Sequence, residues 1–346
     1  MKIDQKFALS VILLLTLIVT INCSPSLTPT AKNSPAGIST NKPIQVGVNS
    51  WPPSLYWEIA EEKGIFQANQ IEVDLNYYDY LKSIRKLTQG ELDANYLTLS
   101  DIITALTNPD APDLVIVLLA DASNGGDAII VREGINSIAD LKGKKIATEI
   151  GGTDHFLVLL GLKKAGISPQ EIYWQNLDPR AGVAAFVEGQ VDAIATYIPY
   201  TKEALKLSGS KVLFSSKQFP QAITDHLVVS RKLINQRPQD VQSLVNSWFD
   251  TLKFAHQNSD QAFTIMADYF GVSVEEFKLY NSEIKIFNHA ENLKFFVTDS
   301  PLAYLPQAAE EFSKFLLSNG IIKHKPDLRQ LFDDRFVRAY LSSLKN

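Results

Sequence analysis

From residue 44 to residue 230, short apolar runs with strand-like composition alternate with stretches whose apolar residues recur three or four apart. In the first part, strands fit Ile44 to Val48, Ile71 to Tyr77, Ala94 to Thr98 and Leu114 to Leu119. Helices fit Ser54 to Lys63, Asp79 to Gln89 and Ser100 to Thr107, each opened by a polar residue. Strands separated by helices predict a mostly parallel sheet covered on both faces. The pattern then recurs, with strands at Lys145 to Glu149, Ile172 to Gln175, Ala193 to Thr196 and Val212 to Phe214. Its helices fall at Thr153 to Ala165, Arg180 to Gly189 and Pro199 to Leu207.

Two further apolar runs flank this second block. Ala128 to Val131 enters it and His226 to Ser230 leaves it, so both read as crossings. Mainly helical patterns follow, at Gln239 to Gln257, Ser259 to Phe270, Ser273 to Asn281 and Pro301 to Ser318, and they are expected to return over the first lobe. The fold class is α/β with two lobes, one formed by residues 43–128 plus 229–346 and the other by residues 129–228. Two lobes joined by two strands make a hinged pair with a ligand-sized cleft between them.

The ends of the chain add a location. Lys2 and Lys6 precede an uncharged run, Phe7 to Ile21, that stops at Cys23, the single cysteine in 346 residues. Residues 1–22 have the layout of an export signal, and the run is too short for a comfortable membrane span. Residues 23–42 are Ser, Pro, Thr, Asn and Lys with few large apolar side chains, and read as a flexible tether. A net charge of −5 without long runs gives no footprint for nucleic acid. Five scattered histidines and one cysteine give no zinc pattern. The expectation is a monomer that uses no cofactor or metal.

Several segments together resemble a known family. They are W-P-P at Trp51 to Pro53, A-E-E-K-G-I-F at Ala60 to Phe66, Q-G-E-L-D-A at Gln89 to Ala94, D-L-K-G-K-K-I-A at Asp140 to Ala147 and E-G-Q-V-D-A at Glu188 to Ala193. In order and spacing the chain is similar to the solute-binding proteins of bacterial ABC importers for sulfonates, taurine, nitrate, bicarbonate and the thiamine pyrimidine precursor. The resemblance implies a periplasmic-binding-protein fold and no catalysis, with a small-molecule solute passed to a permease and its ATPase. Cys23 resembles the lipid acceptor of a lipoprotein signal, although Thr20 and Asn22 depart from the usual residues before it. Two rival readings are an enzyme like the eukaryotic thiamine-pyrimidine synthase, with an active-site histidine and iron, and a solute sensor that signals to a membrane partner.

Ligands of open α/β sheets sit outside the carboxyl ends of strands, near helix starts. Four turns carry useful groups there. After Val48, Trp51 is placed to stack on a ligand. After the third strand, Thr98 faces the cleft and Ser100 or Asp101 caps the next helix. The run Asp121 to Asp127 reads as a turn that brings Asn124 and Asp127 with close backbone. Gly152 and Thr153 open a helix whose free N–H groups suit an anion, with His155 nearby and Asp154 as a contrary charge. Tyr197 and Asp225 complete the set. With Asp121, Asp127 and Asp225 at its mouth, the cleft is too acidic for a plain anion. The expected solute is small, anionic or zwitterionic, and bears nitrogen or sulfur.

Overall fold

The computed structural model describes residues 42–296 and 305–345. The export signal, Cys23, all of the tether but Lys42, and the start of the helix expected from Pro301 lie outside the described residues. Eleven strands are present among the described residues: β1 (Ile44–Val48), β2 (Val73–Tyr77), β3 (Ala94–Thr98), β4 (Leu114–Ser123), β5 (Asp127–Val131), β6 (Lys145–Thr148), β7 (Tyr173–Asn176), β8 (Ala193–Tyr197), β9 (Lys211–Ser215), β10 (Thr224–Ser230) and β11 (Ile284–Ile286). They form a six-stranded sheet in the order β11-β4-β10-β3-β1-β2 and a five-stranded sheet in the order β7-β6-β8-β5-β9. Strands β3, β4, β5 and β8 are buried along their whole length, as continuous apolar runs covered on both faces should be.

The sheets are mixed, which refines the expected parallel arrangement. β1 pairs parallel with β2 and β3, and β6 pairs parallel with β7 and β8. β10 lies antiparallel between β3 and β4, and β5 antiparallel between β8 and β9. Parallel neighbours need a crossover of about a dozen residues, whereas β5 and β10, the two strands the chain enters from the other sheet, run against their neighbours. Both runs read as crossings are these reversed strands, each wholly inside one sheet. The chain passes between the sheets in the segments 124–126 and 216–223 instead.

The C-terminal helices pack as expected on the first sheet's helices. Trp248, in helix Pro238–Gln257, is fully buried with its ring 5.1 Å from that of Trp57, 5.6 Å from Tyr96 and 5.7 Å from Tyr56. Helix Leu305–Ser318 reaches further, setting Phe312 and Phe315 4.9 and 5.3 Å from Phe156 of helix Thr153–Ala165. The three-residue β11 and the helices Arg231–Gln236 and Arg335–Ser343 are additions to the elements expected from periodicity.

Candidate functional site

Strand register places the site. Parallel strands deliver their carboxyl ends to one edge, and the reversed strands deliver their beginnings to the same edge. Asp225 of β10 therefore sits opposite Thr98 of β3 on one side and Asp121 of β4 on the other. In the second sheet, Asp127 of β5 sits opposite Tyr197 of β8. Between the two edges lies a partly open cavity with about 400 Å³ of space free of protein atoms, part of it continuous with solvent.

Seven residues singled out from sequence line this cavity: Trp51, Thr98, Asp127, Gly152, Thr153, Tyr197 and Asp225. Three do not. Ser100 is buried behind Thr98, 3.1 Å from its hydroxyl. Asn124 is exposed, its backbone N–H bonded to the Glu283 carbonyl at 2.8 Å. His155 turns away from the cavity, accepting the Gly151 N–H at its Nδ1 (3.2 Å) and standing edge-on to Trp174. Burial pushes its imidazole down to about 4, so it is neutral. The helix after β3 is capped by Thr98 itself, whose Oγ1 accepts from the Asp101 N–H, and not by Ser100 or Asp101.

Tyr80, Glu149, Asp154 and Ile223 complete the lining. Two of these follow the rule that found the others, since Tyr80 opens the helix after β2 and Glu149 directly follows the last residue of β6. Asp121 is a strand residue and not part of a turn, because its ladder partners Asp225 and Ile286 hold β4 extended as far as Ser123. Its carboxylate accepts from Trp51 Nε1 at 3.2 Å and from the Tyr96 hydroxyl, fixing the indole from below. Tyr197 stands edge-on to the indole at 6.2 Å and tilted against Tyr80 at 6.3 Å.

Gly126 makes room for that indole. A β-carbon there would lie 2.7 Å from the far carbon of the Trp51 ring. Gly126→Ala should therefore cost about 1–3 kcal/mol through overpacking. An unchanged urea midpoint would show that the ring is not held against this turn.

Direct bonds cross the cavity. Thr98 Oγ1 and Thr153 Oγ1 are 2.9 Å apart, and Thr153 donates to Asp101 Oδ2 at 2.8 Å. Ser50 Oγ and the Tyr197 hydroxyl are 2.8 Å apart. Of the two N–H groups expected to face an anion here, those of Gly152 and Thr153, the Gly152 N–H is bonded to the Glu149 carbonyl at 3.1 Å.

The electrostatics are acidic throughout. Asp127, Glu149, Asp154 and Asp225 line the cavity, and Asp101 and Asp121 lie just beneath. Desolvation raises every one of these carboxyls, Asp121, Asp127 and Glu149 to about 7, and neighbouring acids raise all of them further except Asp101, whose bonds from Thr153, Thr98 and Tyr80 pull it back. The charge of Asp127 is among the causes that raise Asp154.

A family model described as NMT1/THI5 like matches residues 55–262. A putative binding protein of Brucella abortus (strain 2308) is 25% identical over 288 residues, covering 80% of this chain and 87% of its own. A putative aliphatic sulfonates-binding protein of Escherichia coli (strain K12) is 25% identical over 249 residues, covering 71% and 74%. Among solved structures, the periplasmic aliphatic sulphonate binding protein of Escherichia coli superposes with a TM-score of 0.69 at 21% identity, covering 84% of this chain and 92% of that one.

Proposed function

We propose, on the premise that this chain belongs to the NMT1/THI5-like family, that it is the extracytoplasmic solute-binding component of an ABC importer. It captures a small nitrogen-bearing solute between two lobes, residues 43–128 plus 229–346 and residues 129–228, and presents it to a permease with an ATPase. Similarity to binding proteins, two of them sulfonate binders by name, supports this reading. Residues 1–22 direct export, and Cys23 carries the lipid that holds the protein at the membrane surface.

The observation that carries the proposal is a cavity lined from both sheets and closed by side chains from both. Thr98 and Asp225 come from one sheet, while Asp127 and Tyr197 come from the other. A solute that touches both walls favours the closed form by the difference in its affinity for the two states. The full chain should contract on solute addition in small-angle X-ray scattering, and its melting temperature should rise with solute concentration by mass action. Thr153→Ala should weaken binding about tenfold, roughly 1.4 kcal/mol, while exchange of the exposed Glu61 should leave it unchanged. Unaltered affinity in Thr153→Ala would place the solute elsewhere.

A further inference from the structure

We propose that the solute is a compact organic cation with at least two N–H donors, of the ammonium or amidinium class, seated between Asp127, Asp154 and Asp225 under the rings of Trp51, Tyr80 and Tyr197. This assignment rests on the solute-capture reading and narrows its ligand.

Three observations carry it. First, the donor inventory of the cavity is one-sided. Among the described residues no Lys, Arg or His lines it, whereas four carboxyl groups do. Arg85 is a cation whose field reaches a lining group, lowering Glu149 as the last and smallest of its causes. An anionic solute would enter with no positive partner and four acids around it. Second, the acids are left wanting donors. Asp127 Oδ2 and Asp154 Oδ1 are fully buried without a hydrogen-bond donor among the described residues, although the residues are only 3% and 4% exposed. Buried polar atoms in folded proteins nearly always find a partner. Asp225, 2% exposed, feels burial and the charges of Asp121, Asp127 and Asp101. Third, aromatic rings line the cavity beside these acids, Tyr197 next to Asp127 and Trp51 and Tyr80 on the side of Asp225, and a cation held by carboxylates against indole and phenol rings gains from both. The acids do not converge as metal ligands do, since no three His, Cys, Asp or Glu side chains among the described residues are arranged to hold a metal ion.

Protons offset part of the charge of the site. Asp127 feels the field of Asp101, and Asp154 those of Asp127, Glu149 and Asp101, while Tyr80, Tyr96 and Tyr197 are held neutral around them. A cation entering between Asp127 and Asp154 displaces the protons that burial holds on these acids, so its affinity falls as pH falls.

Calorimetric titration of the full chain tests this with acetamidinium, guanidinium and 1,3-diaminopropane against methanesulfonate, taurine and nitrate. At least one cation should bind, release protons in buffers of differing ionisation enthalpy, and bind at least tenfold more weakly at about pH 5.5 than at about pH 8. Asp127→Asn and Asp225→Asn should each weaken that binding about tenfold or more while melting no lower than the parent, because each removes a buried charge. Binding of the anions or taurine without the cations overturns the assignment and leaves solute capture standing. Binding of none of the six, with no contraction on addition of any, overturns both. Cation binding that survives both Asn substitutions unchanged also overturns it.

Discussion

Acidifying the unliganded protein from about pH 8 to about pH 6.5 should raise its melting temperature by several degrees. Asp121, Asp127, Asp154 and Asp225 are all raised by burial and by one another, so the folded chain holds protons that the unfolded chain, with carboxyls near 3.8, has released. Stability contributed this way is present at low pH and is lost as pH rises through the raised range. If the folded state keeps two extra protons across this window, the gain on acidification is about 3–4 kcal/mol. Below about pH 6.5 the rise slows. His155 and His226 are held neutral by burial, at about 4 and about 3, so the unfolded chain takes up protons that the folded chain refuses. These two histidines oppose the more numerous carboxyls, and the curve should turn down only where the unfolded chain's own carboxyls take up protons, at about pH 4. A melting temperature that stays level or drops between about pH 8 and about pH 6.5 would contradict the buried-acid account.

Asp121→Leu should destabilise the protein by about 2–4 kcal/mol, whereas Asp121→Asn should cost little or nothing. Leucine strands two buried donors, Trp51 Nε1 and the Tyr96 hydroxyl, while asparagine keeps an acceptor oxygen and sheds a charge set among Asp127 and Asp225. Urea denaturation at about pH 8 separates the two. Equal midpoints would mean that Asp121 does not support the indole that roofs the cavity.

The lobes and most of the cavity were legible because two simple regularities converge. Apolar runs marked strands such as Ile44–Val48 and Ala94–Thr98 at their observed bounds, and the rule that ligands meet strand ends then selected Thr98, Thr153 and Tyr197. Applying that rule to every strand, including β2 and β6, would also have found Tyr80 and Glu149. Strand direction was not legible, since β5 and β10 read the same either way along the sequence. His155 was misleading because a helix position two residues past the loop turns its side chain towards Trp174. The run Asp121–Ser123 looked like a turn by composition, and only its ladder partners, far along the chain, keep it extended.

Three hydroxyl pairs join the lobes, beside the Thr153 bond to Asp101 and the ion pair between Lys202 and Glu283. Thr98 with Thr153, Ser50 with Tyr197 and Ser123 with Ser216 each pair two groups that serve equally as donor or acceptor. A hydroxyl pair that parts takes up water on both sides without changing charge, so the exchange is close to even. Pairs that part at so little cost hold the lobes without locking them, and on the solute-capture proposal the tightness of closure is then set by the solute, with the Lys202–Glu283 pair as the ionic contact that opening must break.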